Sequence, residues 1–329
     1  MYGGTFMLEK KKIGVLTSGG DAPGMNAAIR AVVRAGIDSG IRVFGIKRGY
    51  SGLLTSDVMY MSLRSVSDII NFGGTILYTA RSPEFSTREG VLVARDNCKR
   101  LGLDGLVVIG GDGSLRGAKE LSEAGIPCVG IPGTIDNDIS CSEYTIGFDT
   151  AMNTAIQMVD KIRDTAESHE RCSIVEVMGR RCGDIALQTG IAVGATAIIV
   201  PEVPYDFKKD IIDRMKMTQK TGKKHFIIIV AEGIGGIDEI AKKIYEEMGI
   251  EARTTVLGHV QRGGSPTLRD RLIASEMGAK AVEVLCKGAG SRVIAMQSGR
   301  IVDYDISQGL SMKKAFDKDL YKTALKISI

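Results

Sequence analysis

No tryptophan occurs in the 329 residues, and Phe and Tyr together make up only 5% of them. That scarcity argues against stacking platforms for single-stranded nucleic acid. Basic residues form no dense block beyond Lys10–Lys12, and the net charge is a mild +4. A nucleic-acid partner is therefore not expected. The three histidines (His169, His225, His259) and six cysteines contain no CxxC pair and no metal-ligand spacing. This speaks against a zinc site. The cysteines read as reduced thiols of a cytoplasmic protein, with Cys128 packing inside an apolar strand as a small hydrophobe.

No apolar run approaches 18 residues, and no signal-peptide hydrophobic region precedes the first strand, so no membrane association is expected. The opening MYGGTF reads as an extension outside the fold, with Met7 as an alternative start. The chain has no internal repeat of 20–50 residues and no low-complexity linker. Two lobes, if present, must share a tight interface. No Gly-x-Gly-x-x-Gly opens the first helix, and no acidic residue follows at the ribose distance. Both absences disfavour a nucleotide-dependent dehydrogenase.

What is present is an ordinary globular composition, 44% hydrophobic and 25% charged. The 41 glycines gather at the ends of apolar runs. Strands are predicted at 13–17, 41–46, 106–109, 128–131, 173–177, 197–200, 225–231 and 254–257. Helices are predicted at 24–37, 115–124, 149–165, 208–219, 237–248 and 270–286, with Pro23 and Asn26 marking where the first begins. Alternation of this kind predicts mostly parallel sheet covered by helices on both faces.

Three predicted strands end in one design. LDGLVVIGGDGS, residues 103–114, runs a β-branched strand into Gly110, Gly111 and Asp112. IPCVGIPGTIDND, residues 126–138, leads to Thr134, Asp136, Asn137 and Asp138. IGVLTSGGDAPGMNAAIR, residues 13–30, leads to Ser18, Gly19, Gly20 and Asp21. Taken singly, each is a turn rich in turn residues. Together they place glycine, hydroxyl and carboxylate groups on one edge of a parallel sheet, where ligands bind. Glycine lets backbone N–H groups approach a ligand closely. An aspartate there suits Mg²⁺, which takes oxygen ligands and phosphates. Polar clusters also follow later strands: Glu176, Met178, Gly179 and Arg180; then Glu232; then His259, Gln261 and Arg262. Single arginines (Arg81, Arg171, Arg180, Arg253, Arg262) suit small anionic ligands.

The ordered set TSGGDAPGMNAAIR, TARSPEF, GGDGS, PGTIDND, TIGFDTA, EVMGR, GKKH, AEG and LGHVQRGGSPT resembles bacterial-type ATP-dependent 6-phosphofructokinases from residue 12 to about 305. The resemblance implies a two-lobed α/β fold of mostly parallel sheets sandwiched by helices. Residues 1–146 plus 260–310 would form a nucleotide lobe and residues 147–259 plus 311–329 a sugar-phosphate lobe. It implies transfer of the ATP γ-phosphoryl to the 1-hydroxyl of fructose 6-phosphate, with Mg²⁺ as cofactor.

By the same resemblance, Asp136 matches the catalytic base, flanked by Thr134 and Asp138, and Arg180 stabilises the transferring phosphoryl group. Asp112 matches the Mg²⁺ ligand. Gly20, Tyr50, Arg81, Ser82, Gly111, Gly113 and Ser114 match nucleotide contacts. Ile135, Met178, Gly179, Glu232, His259 and Arg262 match sugar contacts. Arg171 and Arg253 match arginines that clamp the 6-phosphate from a neighbouring subunit, which implies a homotetramer.

Pyrophosphate-dependent relatives carry Asp and Lys where this chain has Gly113 and Gly133. Both glycines are expected to leave the ATP α-phosphate space open. The alternatives are a pyrophosphate-dependent enzyme and a non-catalytic nucleotide-sensing subunit. The latter would be expected to lose Asp136 or Asp112, and both are present. Arg30, Arg34, Arg163 and Lys223 match an effector site for ADP or phosphoenolpyruvate. Two departures bear on that site. Thr196 stands where relatives often carry a Glu that helps hold the effector's Mg²⁺, and Leu63, next to Arg64, stands where some carry an Arg. One extra residue, around Thr221, precedes the GKK segment. A weak response to Mg-ADP is expected.

Overall fold

The computed structural model describes residues 11–328; the expected extension before Met7 lies outside them. Eleven strands follow in chain order: β1 (Lys12–Ser18), β2 (Arg42–Ile46), β3 (Val58–Met61), β4 (Gly105–Gly110), β5 (Cys128–Pro132), β6 (Cys172–Val177), β7 (Ala197–Ile199), β8 (Phe226–Ala231), β9 (Ala252–Val256), β10 (Arg292–Gln297) and β11 (Arg300–Asp305). They form a seven-stranded sheet ordered β11-β10-β5-β4-β1-β2-β3 and a four-stranded sheet ordered β7-β8-β6-β9. Interior pairs are parallel, and only the outer pairs β2–β3 and β10–β11 run antiparallel.

In the large sheet the chain leaves β1 toward β2 and β3, then returns to β4 on β1's other side and continues to β5. The order reverses between β1 and β4. Neighbouring loops there diverge and leave a crevice at the strands' C-terminal ends. The strands are apolar on both faces, as sheets covered by helices require. In β4, Val107 and Ile109 face one core while Leu106 and Val108 face the other. In β6, Val175 and Val177 face the first of these cores, and Cys172 and Ile174 face a third. That shared core joins the inner faces of both sheets through the helices Phe148–Ser168, Asp184–Ala192 and Leu268–Cys286. Continuous burial of this kind favours fixed placement of one sheet's strand ends against the other's.

Several elements escaped the sequence reading. The helix Arg88–Leu101 carries a charged face, although Thr87 caps it by accepting from the Gly90 N–H and Gly102 ends it in a left-handed conformation. Strands β3, β10 and β11 belong to the outer antiparallel pairs of the large sheet and are only partly buried, so their alternation is weak. The 208–219 segment is a π-turn, Lys208–Ile212, running into the helix Asp213–Lys220. Among the described residues, no helix is long and apolar enough to cross a membrane.

Candidate active site

The crevice between β1 and β4 is built from glycine turns. After Ser18 the chain bends at Gly19, whose φ of 87° suits glycine. After Gly110, Gly111 is extended and the helix Asp112–Glu123 begins at once. Sequence reading began that helix at residue 115; instead Asp112, Gly113 and Ser114 form its first turn. The extended Gly111 serves as the cap despite offering no side chain. The consequence is chemical: the unpaired N–H groups of a helix N-terminus favour anions. Asp112 lies 2.8 Å from Arg116 Nε, one turn along the helix. Sequence reading did not single out Arg116, although its i, i+4 spacing was visible.

Beside this turn is a cleft of about 470 Å³ lined by Tyr50, Arg81, Ser82, Phe85, Gly113 and Arg116. Tyr50 is buried, stacks on Phe85 with ring centres 3.8 Å apart, and donates to the Ser114 carbonyl at 2.6 Å. An ideal Cβ on Gly113 would meet nothing within 4 Å, so glycine leaves open space there. Gly133 behaves otherwise and corrects the sequence reading. Its Cβ would lie 2.9 Å from Ile109 Cγ2 and 3.3 Å from Met25 Cε, so it points into the core. Pairing of its N–H with the Gly110 carbonyl draws it against β4.

A second cleft, about 240 Å³, gathers Gly20, Gly111, Asp112, Gly113, Ser114, Thr134, Ile135, Asp136, Arg180 and Arg262. Asp136 is 2% exposed, and its Oδ2 lies 3.0 Å from Arg180 Nε. Its Oδ1 has no partner, nor do the buried Asp138 Oδ1 and Arg262 Nε. Leaving such groups unpaired in a dry site is costly, so their convergence on one crevice marks a place for polar ligand atoms. Burial, then repulsion from Asp138, raises the Asp136 carboxyl above its ordinary range, against the pull of Arg180 and Arg262. Burial raises Asp138 as well, opposed by Arg180.

The end of β6 is shaped by strain and held by side chains. Gly179 has φ 139° and Arg180 φ 53°, the latter rare for a side-chain-bearing residue. Glu232 Oε1 accepts from both N–H groups, at 3.2 and 2.6 Å, and fixes the turn. Gln261, fully buried, accepts from the Met178 N–H at 2.8 Å and holds the strand end one residue earlier. Its burial could not be read from a loop-like sequence. Arg262 packs so closely over Gly20 that a Cβ there would lie 2.9 Å from Nη1. His259 stands exposed on the short helical turn Gly258–Arg262.

Some expected residues do not join this group. Arg171 and Arg253 pair with Glu251, at 2.8 and 2.5 Å. They sit at the starting ends of β6 and β9, whereas Met178 and His259 follow the finishing ends. A six-residue strand at about 3.3 Å per residue puts roughly 20 Å between them. Arg163 and Lys223 lie close enough for repulsion from Arg163 to help lower the Lys223 amine, after burial. Arg30 and Arg34 lie on a different helix, Met25–Asp38, which packs on the large sheet. Thr196 is buried with an unpartnered hydroxyl, and Leu63 is exposed.

Parallel sheets, an anion-ready switch point and a buried carboxylate paired with arginine supply what a phosphoryl-transfer site needs. Residues 12–285 match the family model described as phosphofructokinase. Over 97% of this chain and 100% of theirs, proteins named ATP-dependent 6-phosphofructokinase from Bacillus velezensis and Bacillus thuringiensis are 56% identical. The chain belongs to the phosphofructokinase family. A yeast phosphofructokinase structure (Saccharomyces cerevisiae) superposes with a TM-score of 0.89 at 36% identity over 96% of this chain, which spans half of the yeast chain's length. A pyrophosphate-dependent phosphofructokinase from Nitrosospira multiformis, at 22% identity, gives 0.83 over 97% of this chain and 92% of its own, a likeness of fold alone.

Proposed function

We propose that this protein transfers the γ-phosphoryl group of ATP to the 1-hydroxyl of fructose 6-phosphate, giving fructose 1,6-bisphosphate and ADP, as a glycolytic enzyme. One observation carries the reading. The buried Asp136, with one oxygen free and the other against Arg180, shares a cleft with the glycine turns after β1 and β4. Asp136 accepts the proton of the attacking hydroxyl, and its raised basicity suits that task. Arg180 neutralises charge on the phosphoryl group in flight. The N–H groups of the helix starting at Asp112 hold phosphate, and the Tyr50–Phe85 cleft takes the nucleoside. Open space at Gly113 supports a nucleotide donor over pyrophosphate.

Mg²⁺ fits the donor set. Asp138 presents a buried, unpartnered oxygen, and Asp112 lies across the same crevice. Among the described residues no three His, Cys, Asp or Glu side chains converge as a metal cluster. Mg²⁺ is usually held by one or two carboxylates plus substrate phosphates, so two suffice. When bound, the ion would neutralise phosphate charge; Arg116 would then yield Asp112.

The sugar phosphate lies along Met178, Gly179, Glu232, His259 and Arg262, and Arg171 and Arg253 reach it from a neighbouring copy. Exposed Val256, Val260, Leu268 and Leu272 lie between and beside those segments and favour such an interface. The working assembly is a homotetramer in the cytoplasm. Its lobes are residues 1–146 with 260–310 and residues 147–259 with 311–329. Arg30, Arg34, Arg163 and Lys223 form an effector site for ADP or phosphoenolpyruvate that responds weakly to Mg-ADP. A coupled assay for fructose 1,6-bisphosphate tests the central reaction. Turnover with ATP and little with pyrophosphate is expected. Comparable kcat/KM for both donors, or none with ATP, would contradict it.

A further inference from the structure

The loop carrying Asp136 and Asp138 is held from an unexpected direction. Lys314 belongs to the irregular segment 312–317, between the helices Ile306–Ser311 and Lys318–Ile327. Its Nζ donates to the Asn137 carbonyl at 2.6 Å and lies 3.2 Å from Asp184 Oδ2. The Asn137 amide closes the ring by donating to the same Asp184 oxygen at 2.8 Å. Asn137 is 2% exposed and sits in the left-handed region, φ 53°. Such a conformation persists only where its surroundings impose it.

The carbonyl that Lys314 holds belongs to the peptide plane joining Asn137 to Asp138. Fixing that plane fixes the direction in which Asp138 leaves the chain, next to Asp136. The ammonium is also one of the positive charges opposing the upward shift of Asp138; Arg180 is the larger, and Asp112 acts the other way. Nothing about Lys314 in the sequence marks it, since it lies 177 residues from Asn137.

We propose that Lys314 is a positioning residue for phosphoryl transfer. Acting through the Asn137 carbonyl, it sets the geometry of the Asp136–Asp138 pair, so that the C-terminal segment governs turnover. The proposal rests on the phosphotransferase reading above. The wild type is run in the same assay, so absence of wild-type turnover defeats that reading, whereas variants matching an active wild type defeat this one.

Misplacement of reacting groups by about 1 Å can cost a factor of 10², so Lys314→Met is expected to lower kcat by about 10- to 100-fold. KM for both substrates should stay within about twofold, and the unfolding midpoint within about 2 °C. Lys314→Arg, which keeps a cationic donor, should recover most of kcat. Asp184→Asn, which removes the charge of the shared acceptor, should also lower kcat. The double variant should lose less than the product of the two single losses, because both break one ring. A Lys314→Met enzyme with kcat within about twofold of wild type would overturn the proposal. So would losses in the two single variants that multiply, or no recovery with Lys314→Arg. If Lys314→Met does not fold, Asp184→Asn decides alone, and unchanged kcat in that variant overturns the proposal.

Discussion

The finishing edges of the two sheets hold unequal shares of the site. The edge of the seven-stranded sheet is complete within one chain: the turns after β1, β4 and β5 meet around Asp112 and Asp136, and the nucleoside cleft adjoins them. The four-stranded sheet offers Met178, Gly179, Glu232 and the 258–262 turn at one edge. Its two remaining arginines, Arg171 and Arg253, sit at the other edge, paired with Glu251. The catalytic half can be assembled within one chain because a switch point gathers neighbouring strand ends, to which the turn after β6 adds Arg180. If Arg171 and Arg253 clamp the substrate phosphate as proposed, a clamp split across opposite ends of the same strands closes on one substrate only when a second copy supplies the missing end.

The sharpest way to break the self-contained half is Asp136→Asn. Removing a positioned base is expected to lower kcat by about 10²–10⁴-fold, with nucleotide affinity, read by equilibrium binding, nearly unchanged. The same change should raise the unfolding midpoint. The folded protein raises the Asp136 pKa, chiefly through burial and repulsion from Asp138, so the ionised form destabilises the fold at neutral pH. That penalty grows as pH rises through the raised value, and the neutral amide avoids it. In the wild type, kcat/KM should fall with an acid limb above the ordinary Asp range, since the base works only when ionised.

Arg253→Ala breaks the other half. KM for fructose 6-phosphate is expected to rise about 10- to 100-fold, the scale of lost charge-assisted bonds to phosphate, while KM for ATP moves less than about twofold. Equal rises in both would place Arg253 outside the sugar site.

Two glycines sharpen the nucleotide half further. Gly113→Asp puts a carboxylate into open space beside Asp112 and should raise KM for ATP about 10-fold by repulsion and bulk, with little change in stability. Gly133→Ala should leave donor choice unchanged and instead destabilise by about 1–3 kcal/mol, because its Cβ meets Ile109. Denaturant unfolding separates the pair.

The smallest effect concerns ADP. At saturating ATP, Mg-ADP should shift fructose 6-phosphate half-saturation by less than about twofold, since a ligand moves an equilibrium only by its differential affinity. A strong leftward shift, lost in Arg163→Ala, would show that Thr196 and Leu63 leave the switch intact.

The sequence made the interior strands and the glycine-rich ends legible because buried parallel strands read as apolar runs and their turns need distinctive residues. Strands β3, β10 and β11, in the antiparallel pairs at the margins of the large sheet, carried no such signal. The role of Gly133 was misread because sequence does not say which way a Cβ would point. Arg116 and Lys314 were unremarked, and Gln261 was visible only as part of a polar cluster, since their significance is a partner distant in sequence or a turn away on a helix. Asn26 marks the start of a helix, which begins at Met25, and its buried amide has a second role invisible in the sequence: it donates to the Phe72 and Gly73 carbonyls and accepts from the Ile76 N–H, pinning a distant loop.

The most direct measurement mixes two impaired proteins. Asp136→Asn chains and Arg253→Ala chains are unfolded together, refolded and assayed for fructose 1,6-bisphosphate formation from ATP at low fructose 6-phosphate. If each site takes its base from one chain and its phosphate clamp from a neighbour across a two-fold interface, random pairing leaves about a quarter of the sites intact. Recovery toward that fraction of wild-type activity is the expected result. Activity no greater than the average of the two variants refolded separately would contradict a site shared between chains.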